Sequence, residues 1–189
     1  MENKDKIITE AALAQFARFG LRKTTMQDVA DAAQISRQTL YNHVANKDAL
    51  LQLVARIYSA DNLHRCQMAL HEAGDFSQAL DDLIAHFVME PWQTIHAMPE
   101  ADDFEVVAND IIVDEIREAT INKIALISDT ICRYHPDTNK GEAEAIARLF
   151  CATAAGMKSA AETQEALIGL CHTMKQSILA VVTSSQQAA

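Results

Sequence analysis

The sequence is poor in residues that break helices and has no pattern that closes a covalent framework. Its 189 residues hold 5 Gly and 3 Pro, so long Ala, Leu, Ile, Gln and Glu stretches run uninterrupted and favour helix. No β pattern competes. The four cysteines, Cys66, Cys132, Cys151 and Cys171, are widely spaced with no C-x-x-C pair, and each sits in an apolar helical pattern, which reads as buried, reduced thiol. There is no H-E-x-x-H, no nucleophile elbow and no Gly-rich phosphate loop. These absences assign no catalytic residue, no metal ligand set and no cofactor. His64 and His71, seven apart on one helix face, with His86 and His96, form only a weak metal pattern. No charged-then-apolar leader opens the chain and no apolar run of 18 residues interrupts it. The expectation is a cytoplasmic protein that makes no use of a membrane.

What is present is enough apolar residue for a sizeable core and an uneven charge. Hydrophobic residues make up 49% of the chain, and a chain of this length buries about 70% of the surface its unfolded form exposes. The net charge is −10, which by itself argues against a nucleic-acid partner. Divided, it does not: residues 1 to 58 hold eight Lys/Arg against six acids, a net +2, and the remainder holds eight against twenty, a net −12. An acidic body with a basic end can dock on phosphate only through that end.

The chain is organised around residues 24 to 51, TTMQDVADAAQISRQTLYNHVANKDALL. Met26, Val29, Ala30 and Ala33 share one face at helical spacing, and Leu40 with Val44 share another. Thr25 stands at an N-cap position with Asp28 three residues on, Ser36 stands before Arg37, and Asn46 before Lys47. The reading is helix, tight turn, helix, then a longer helix to about His71. Once Leu40 and Val44 point inward, Arg37, Gln38, Thr39, Tyr41, Asn42 and His43 remain outside. All are hydrogen-bonding types and none is acidic, which suits a DNA groove: Arg bonds guanine, Gln or Asn bonds adenine, and a Thr methyl meets a thymine methyl. Arg22 and Lys23 precede Thr25, where side chains and amides can hold a phosphate.

The run IITEAALAQFARFG followed by LRKTTMQDVADAAQISRQTLYNHVANKDALL resembles the DNA-binding head of the TetR family of one-component transcriptional regulators. Matching residues are Ile8, Ala11, Ala12, Phe16 and Gly20, then Thr25 and Ala30, then Ser36, Leu40, Tyr41 and His43, then Lys47 and Leu50. The resemblance covers about residues 6 to 54. It implies base-edge roles for Gln38, Thr39, Arg37 and Asn42 and phosphate contacts for Thr25, Tyr41, His43 and Lys47. Three residues depart from the family pattern: Gln34 replaces the usual turn Gly, Gln38 a small residue, and Val44 an aromatic one.

In the first helix, expected over residues 3 to 20, Ile8, Ala12, Phe16 and Phe19 form the apolar stripe and Gly20 the stop. Beyond the long fourth helix, Phe76 to about Met89 is expected to be helical, and EPWQTIHAMPEADDFE, residues 90 to 105, to be irregular because it holds two prolines. Trp92, His96, Met98 and Phe104 there are candidates for contact with an apolar or aromatic ligand. The final helices, about 142 to 160 and 163 to 182, carry more apolar positions than one core contact needs, so a homodimer through about residues 142 to 182 is expected. The fold class is all-α: a three-helix helix-turn-helix head at 1–46 and a helical ligand-binding and dimerisation domain at 47–189, about nine helices altogether. The resemblance implies a repressor that leaves a palindromic double-stranded DNA operator when a small-molecule effector binds. The alternatives are a metal- or redox-responsive sensor on the same scaffold, or a ligand-binding protein with a vestigial head.

Overall fold

The structure, a computed structural model, describes residues 2–99, 101, 108 and 110–187. Every regular element among these is helical: α1 Glu2–Phe19, α2 Met26–Ala32, α3 Arg37–His43, α4 Lys47–Glu72, α5 Phe76–Ile84, a π-helical turn Ala85–Met89, α6 Glu90–His96, α7 Val113–Tyr134, α8 Lys140–Ala160 and α9 Gln164–Gln187. Packing divides the chain into two compact units, Met1–Asp61 with Gln93–Ala119, and Asn62–Trp92 with Thr120–Ala189. This grouping differs from the division at residue 46 expected from sequence: the start of α4 shares the core of α1 to α3.

In the first unit α1 buries Ile8, Ala12 and Phe16, one turn apart, against Val29, Ala30, Leu40, Val44, Leu50 and Leu51. Phe19 does not join that stripe; it is 41% exposed, with the Arg18 guanidinium 4.8 Å above its ring. The reason lies one residue on. Gly20 adopts φ 80° and its N–H bonds Phe16 O at 2.9 Å, an αL stop that turns the chain and sends Leu21 into the core instead.

The second unit is a helical core in which Leu80, Leu83 and Phe87 meet Ile127 and Ile131 of α7, Ala143, Ala147 and Phe150 of α8, and Leu167 and Ile178 of α9. Irregularity was expected from residue 90 onward, yet the helix runs through Pro91 to His96. A proline ring clashes with the carbonyl four residues back and offers no N–H. The chain absorbs both problems by widening: the Glu90 N–H bonds Ala85 O, five residues back. Asn62, 1% exposed on α4, then donates its Nδ2 to His86 O at 2.9 Å and to Glu90 Oε2 at 2.7 Å. A buried amide thus completes the backbone pairing around Pro91.

By length and composition, Gln164–Thr183 of α9 equals a membrane span, with a mean hydropathy of 1.3, where no such run was expected. Its stripe of Leu167, Cys171, Met174, Ile178 and Val182 lies in the core, and 28% of the apolar window is buried.

Candidate nucleic-acid interface

The head is set by caps. Thr25 holds extended backbone at φ −101°, ψ 162°; its Oγ1 accepts from Asp28 N, and Asp28 Oδ2 accepts from Thr25 N at 2.7 Å. These reciprocal bonds satisfy amides that α2 leaves unpaired. The Thr25 hydroxyl and amide together hold the Asp28 carboxyl below its ordinary value, despite a small opposing effect of burial.

The turn between α2 and α3 is built on Gln34, which takes φ 55°. Its N–H bonds Asp31 O at 3.1 Å and the next N–H, from Ile35, bonds Ala30 O at 3.0 Å. That is the paired 5→2 and 6→1 pattern of a Schellman stop. It requires a left-handed residue, so the unusual glutamine occupies the strained position. Ser36 then caps α3, its Oγ accepting from Thr39 N at 3.0 Å.

Leu40 is fully buried and Val44 nearly so, while Arg37, Gln38, Tyr41 and Asn42 are exposed. They pair along the helix: Arg37 lies over the Tyr41 ring at 5.4 Å, and Gln38 Nε2 donates to Asn42 Oδ1 at 3.1 Å. The second bond leaves Gln38 Oε1 and the Asn42 amide hydrogens for a base edge. Thr39 and His43 are half-buried rather than outward. Thr39 Oγ1 is 2.8 Å from Ser36 Oγ, and His43 Nδ1 is 3.2 Å from Asp5 Oδ1 on α1. Nothing local to His43 announces that partner, 38 residues earlier.

Lys47 is also bound into the fold. Its Nζ donates to the carbonyls of Leu21 at 2.5 Å, Thr24 at 2.8 Å and Arg22 at 3.3 Å. Burial lowers its pKa, and neighbouring Asp48 opposes the shift.

Residues 8–54 match the family described as bacterial regulatory proteins, tetR family. The head of the chain, residues 8–54, is thus of the tetR family type. Over 43 residues the TetR head is 49% identical to the probable acrEF/envCD operon repressor of Escherichia coli K12, a stretch that is 23% of this chain and 20% of that protein. Beyond the head the likeness is one of fold. A transcriptional regulator from Cytophaga hutchinsonii superposes with a TM-score of 0.71 at 17% identity, covering 95% of this chain and 96% of that one. A regulator from Saccharomonospora viridis, solved in complex with choline, gives 0.68 at 18% identity over 94% and 96% of the two chains.

The four residues expected at a ligand site are dispersed. Trp92 is 7% exposed in the core of the second unit, Met98 is 5% exposed in the core of the first, and His96 is exposed. Phe104 lies outside the described residues. An opening that sequence reasoning did not find lies in the second unit, a groove of about 350 Å³ lined by Asp81, Ile84, Ala85 and Met89 on one side and Ile168, Cys171, His172 and Lys175 on the other. The Lys175 ammonium bonds Asp81 Oδ1 at 2.6 Å beside it. Burial pushes the Cys66 thiol up to about 12, helped by Asp82 and against Lys123, and burial also raises Cys151 and Cys171. Among the described residues no three His, Cys, Asp or Glu side chains gather as a metal site.

Proposed function

We propose that the chain is a homodimeric, sequence-specific DNA-binding regulator, a repressor that leaves a palindromic operator when a small molecule binds its second unit. The observation that carries the reading is the exposed face of α3, where Arg37, Gln38, Tyr41 and Asn42 stand clear of the core on a helix fixed by two caps and a Schellman turn. Gln38 and Asn42 read base edges with Arg37 and Thr39, while Thr25, Tyr41 and His43 set the head on the phosphates. Such a protein works in the cytoplasm, where its DNA lies, and needs no enzymatic step.

The dimer reading rests on α8 and α9. Ala145, Leu149, Ala152 and Gly156 share one exposed face of α8; Ala166, Leu170, Thr173, Ser177 and Val181 share one of α9. Leu149 is 59% exposed and Val181 46%. A Cβ added at Gly156 or Gly169 would meet nothing within 4 Å, so neither glycine is required by its own protomer, though each costs a helix interior about 1 kcal/mol relative to Ala. Close approach of a second copy supplies the reason. Two heads related by a two-fold axis then read half-sites about one helical turn or more apart. The groove beside α9 has the volume of a small-molecule site and supports placing the effector in the second unit, as does the choline complex of the related fold.

The test is selection of bound duplexes from a random DNA pool, followed by binding of the winner across a salt series. The expected outcome is an enriched palindrome with a log–log salt slope of several units. Replacing Gln38 by Ala then relaxes preference at one base pair, by about 1–3 kcal/mol of discrimination. Absence of enrichment at low salt by folded protein overturns the reading.

A further inference from the structure

We propose that Lys47 acts on DNA through the turn from Leu21 to Thr24, as a positioning residue that presents Arg22 and Lys23 to the operator phosphates and makes no phosphate contact itself. The proposal rests on the reading of the chain as a DNA-binding regulator.

An ammonium has three N–H donors, and three carbonyls converge on this one, those of Leu21, Arg22 and Thr24. All its directional bonding is therefore spent inside the protein. The same turn is tied from the α1 side as well: buried Thr24 Oγ1 donates to Gly20 O at 2.8 Å and lies 3.3 Å from Gln15 O. Held from α1 and from α4, the short segment has two residues that face solvent, Arg22 and Lys23. They are the one adjacent pair of basic residues in the sequence, and no acidic residue occurs between Glu10 and Asp28. An exposed basic turn in a stretch without acids gives a local positive potential, to which a DNA backbone is drawn. The lowered affinity of the Lys47 amine for its proton agrees with a nitrogen withdrawn from water.

The geometry also says why the residue is lysine. Three carbonyls around one point suit a compact tetrahedral ammonium, and a planar guanidinium on a longer stem does not reproduce that set. Lys47→Arg therefore keeps the charge and removes the strut. A lysine that touched phosphate directly would tolerate the exchange, because a guanidinium binds phosphate at least as well.

Binding of the duplex selected by the wild-type protein is measured across a salt series for Lys47→Arg, for Arg22→Ala with Lys23→Ala, and for all three together. Lys47→Arg is expected to lose roughly tenfold or more in affinity, with the salt slope falling by about 2 per half-site, ~0.9 for each of two phosphate contacts. Added to the double variant, it is expected to cause no further loss. Wild-type affinity and slope for Lys47→Arg, or losses that add, overturn the proposal while leaving the regulator reading intact. Failure of the wild-type protein to enrich any duplex overturns that reading instead, and the proposal with it. Should Lys47→Arg not fold, nitrogen-15 spectra of the wild-type lysine ammonium groups decide: the Lys47 signal, slow to exchange without DNA, is expected to stay in place when the duplex is added, and a displaced signal means direct contact.

Discussion

The helix-turn-helix and the α8–α9 pair each leave a face that their own fold does not bury, and the two faces have opposite chemistry. On α3 the exposed side chains are Arg37, Gln38, Tyr41 and Asn42, joined by hydrogen-bonding pairs four residues apart. On α8 and α9 they are Leu149, Leu170 and Val181 among Ala, Gly, Ser and Thr. Leucines left in water at helical spacing ask for apolar cover, whereas a row of amides and a guanidinium asks for a polar, anionic partner. The regions differ also in what holds them. The helix ends of the head are set by bonds spanning three to five residues, at Thr25, Gln34 and Ser36, with longer ties from His43 and Lys47 added to them, whereas the turn at Pro91 is completed by Asn62, 24 to 28 residues away from its acceptors.

The largest effect is expected where the apolar face is broken. Leu149→Glu with Leu170→Glu puts charges on both helices of that face without touching the protomer's core, since both positions are exposed. Sedimentation is expected to show a folded monomer. Operator affinity should fall by about 10²- to 10⁴-fold, the avidity lost when two linked heads become one. A variant that stays dimeric would mean that another surface joins the copies, and the contrast between the two faces would lose its basis.

Next in size is the long-range tie. Asn62→Ala strands the His86 carbonyl and removes one partner of Glu90, an expected loss of about 1–3 kcal/mol in unfolding free energy. If the two regions are as distinct as their bonds suggest, the salt slope of DNA binding stays at its wild-type value. The Glu90 carboxyl adds a pH dependence. Burial raises its pKa, but hydrogen bonds from Arg65 and His86 outweigh that and leave it below its ordinary 4.5. Its contribution is thus fully present above that pH and lost as pH falls through the lower folded value. Glu90→Gln is expected to flatten the acid limb of a melting-temperature profile; an unchanged limb would remove Glu90 from the account.

These ranges of interaction also explain what could be read before the fold was known. Thr25, Ser36 and Asn46 were legible as caps because each side chain accepts from an amide three residues ahead. The all-helical class followed from the scarcity of breakers. Pro91 misled because its accommodation depends on a π turn and on an asparagine far back in the chain. His43 and Lys47 read as outward because their partners, Asp5 and the carbonyls of residues 21 to 24, come close only once α1 and α4 pack. Trp92 and Met98, six residues apart, entered different cores, which no helical periodicity distinguishes.

Within the head, Thr25→Ala removes the hydroxyl that accepts from Asp28 N and is expected to cost ~1 kcal/mol, the usual loss for an N-cap. Asp28 would lose a stabilising donor with it, and its pKa is expected to move back toward 3.8. A carboxyl titration followed by NMR checks this directly. A similar loss from Asn139→Ala, at the α8 cap that accepts from Glu142 N at 2.9 Å, would show that local capping is no special property of the head.

The smallest expected effect is a gain. Gln34 sits at φ 55°, where a side chain other than glycine's costs roughly 1 kcal/mol or more. Its N–H and that of Ile35 are both spent in the Schellman stop, so the turn cannot relax to negative φ without losing two bonds. Gln34→Gly keeps those bonds and relieves the strain, although the added freedom of the unfolded chain takes back part of the gain. The expected net is a melting temperature unchanged or raised by up to roughly 2–4 °C, with operator preference unaltered. Gln34→Val, β-branched and more strained at positive φ, is expected to move it the other way. A clear fall for the glycine variant would show that the glutamine side chain stabilises the turn by contacts that outweigh its backbone strain.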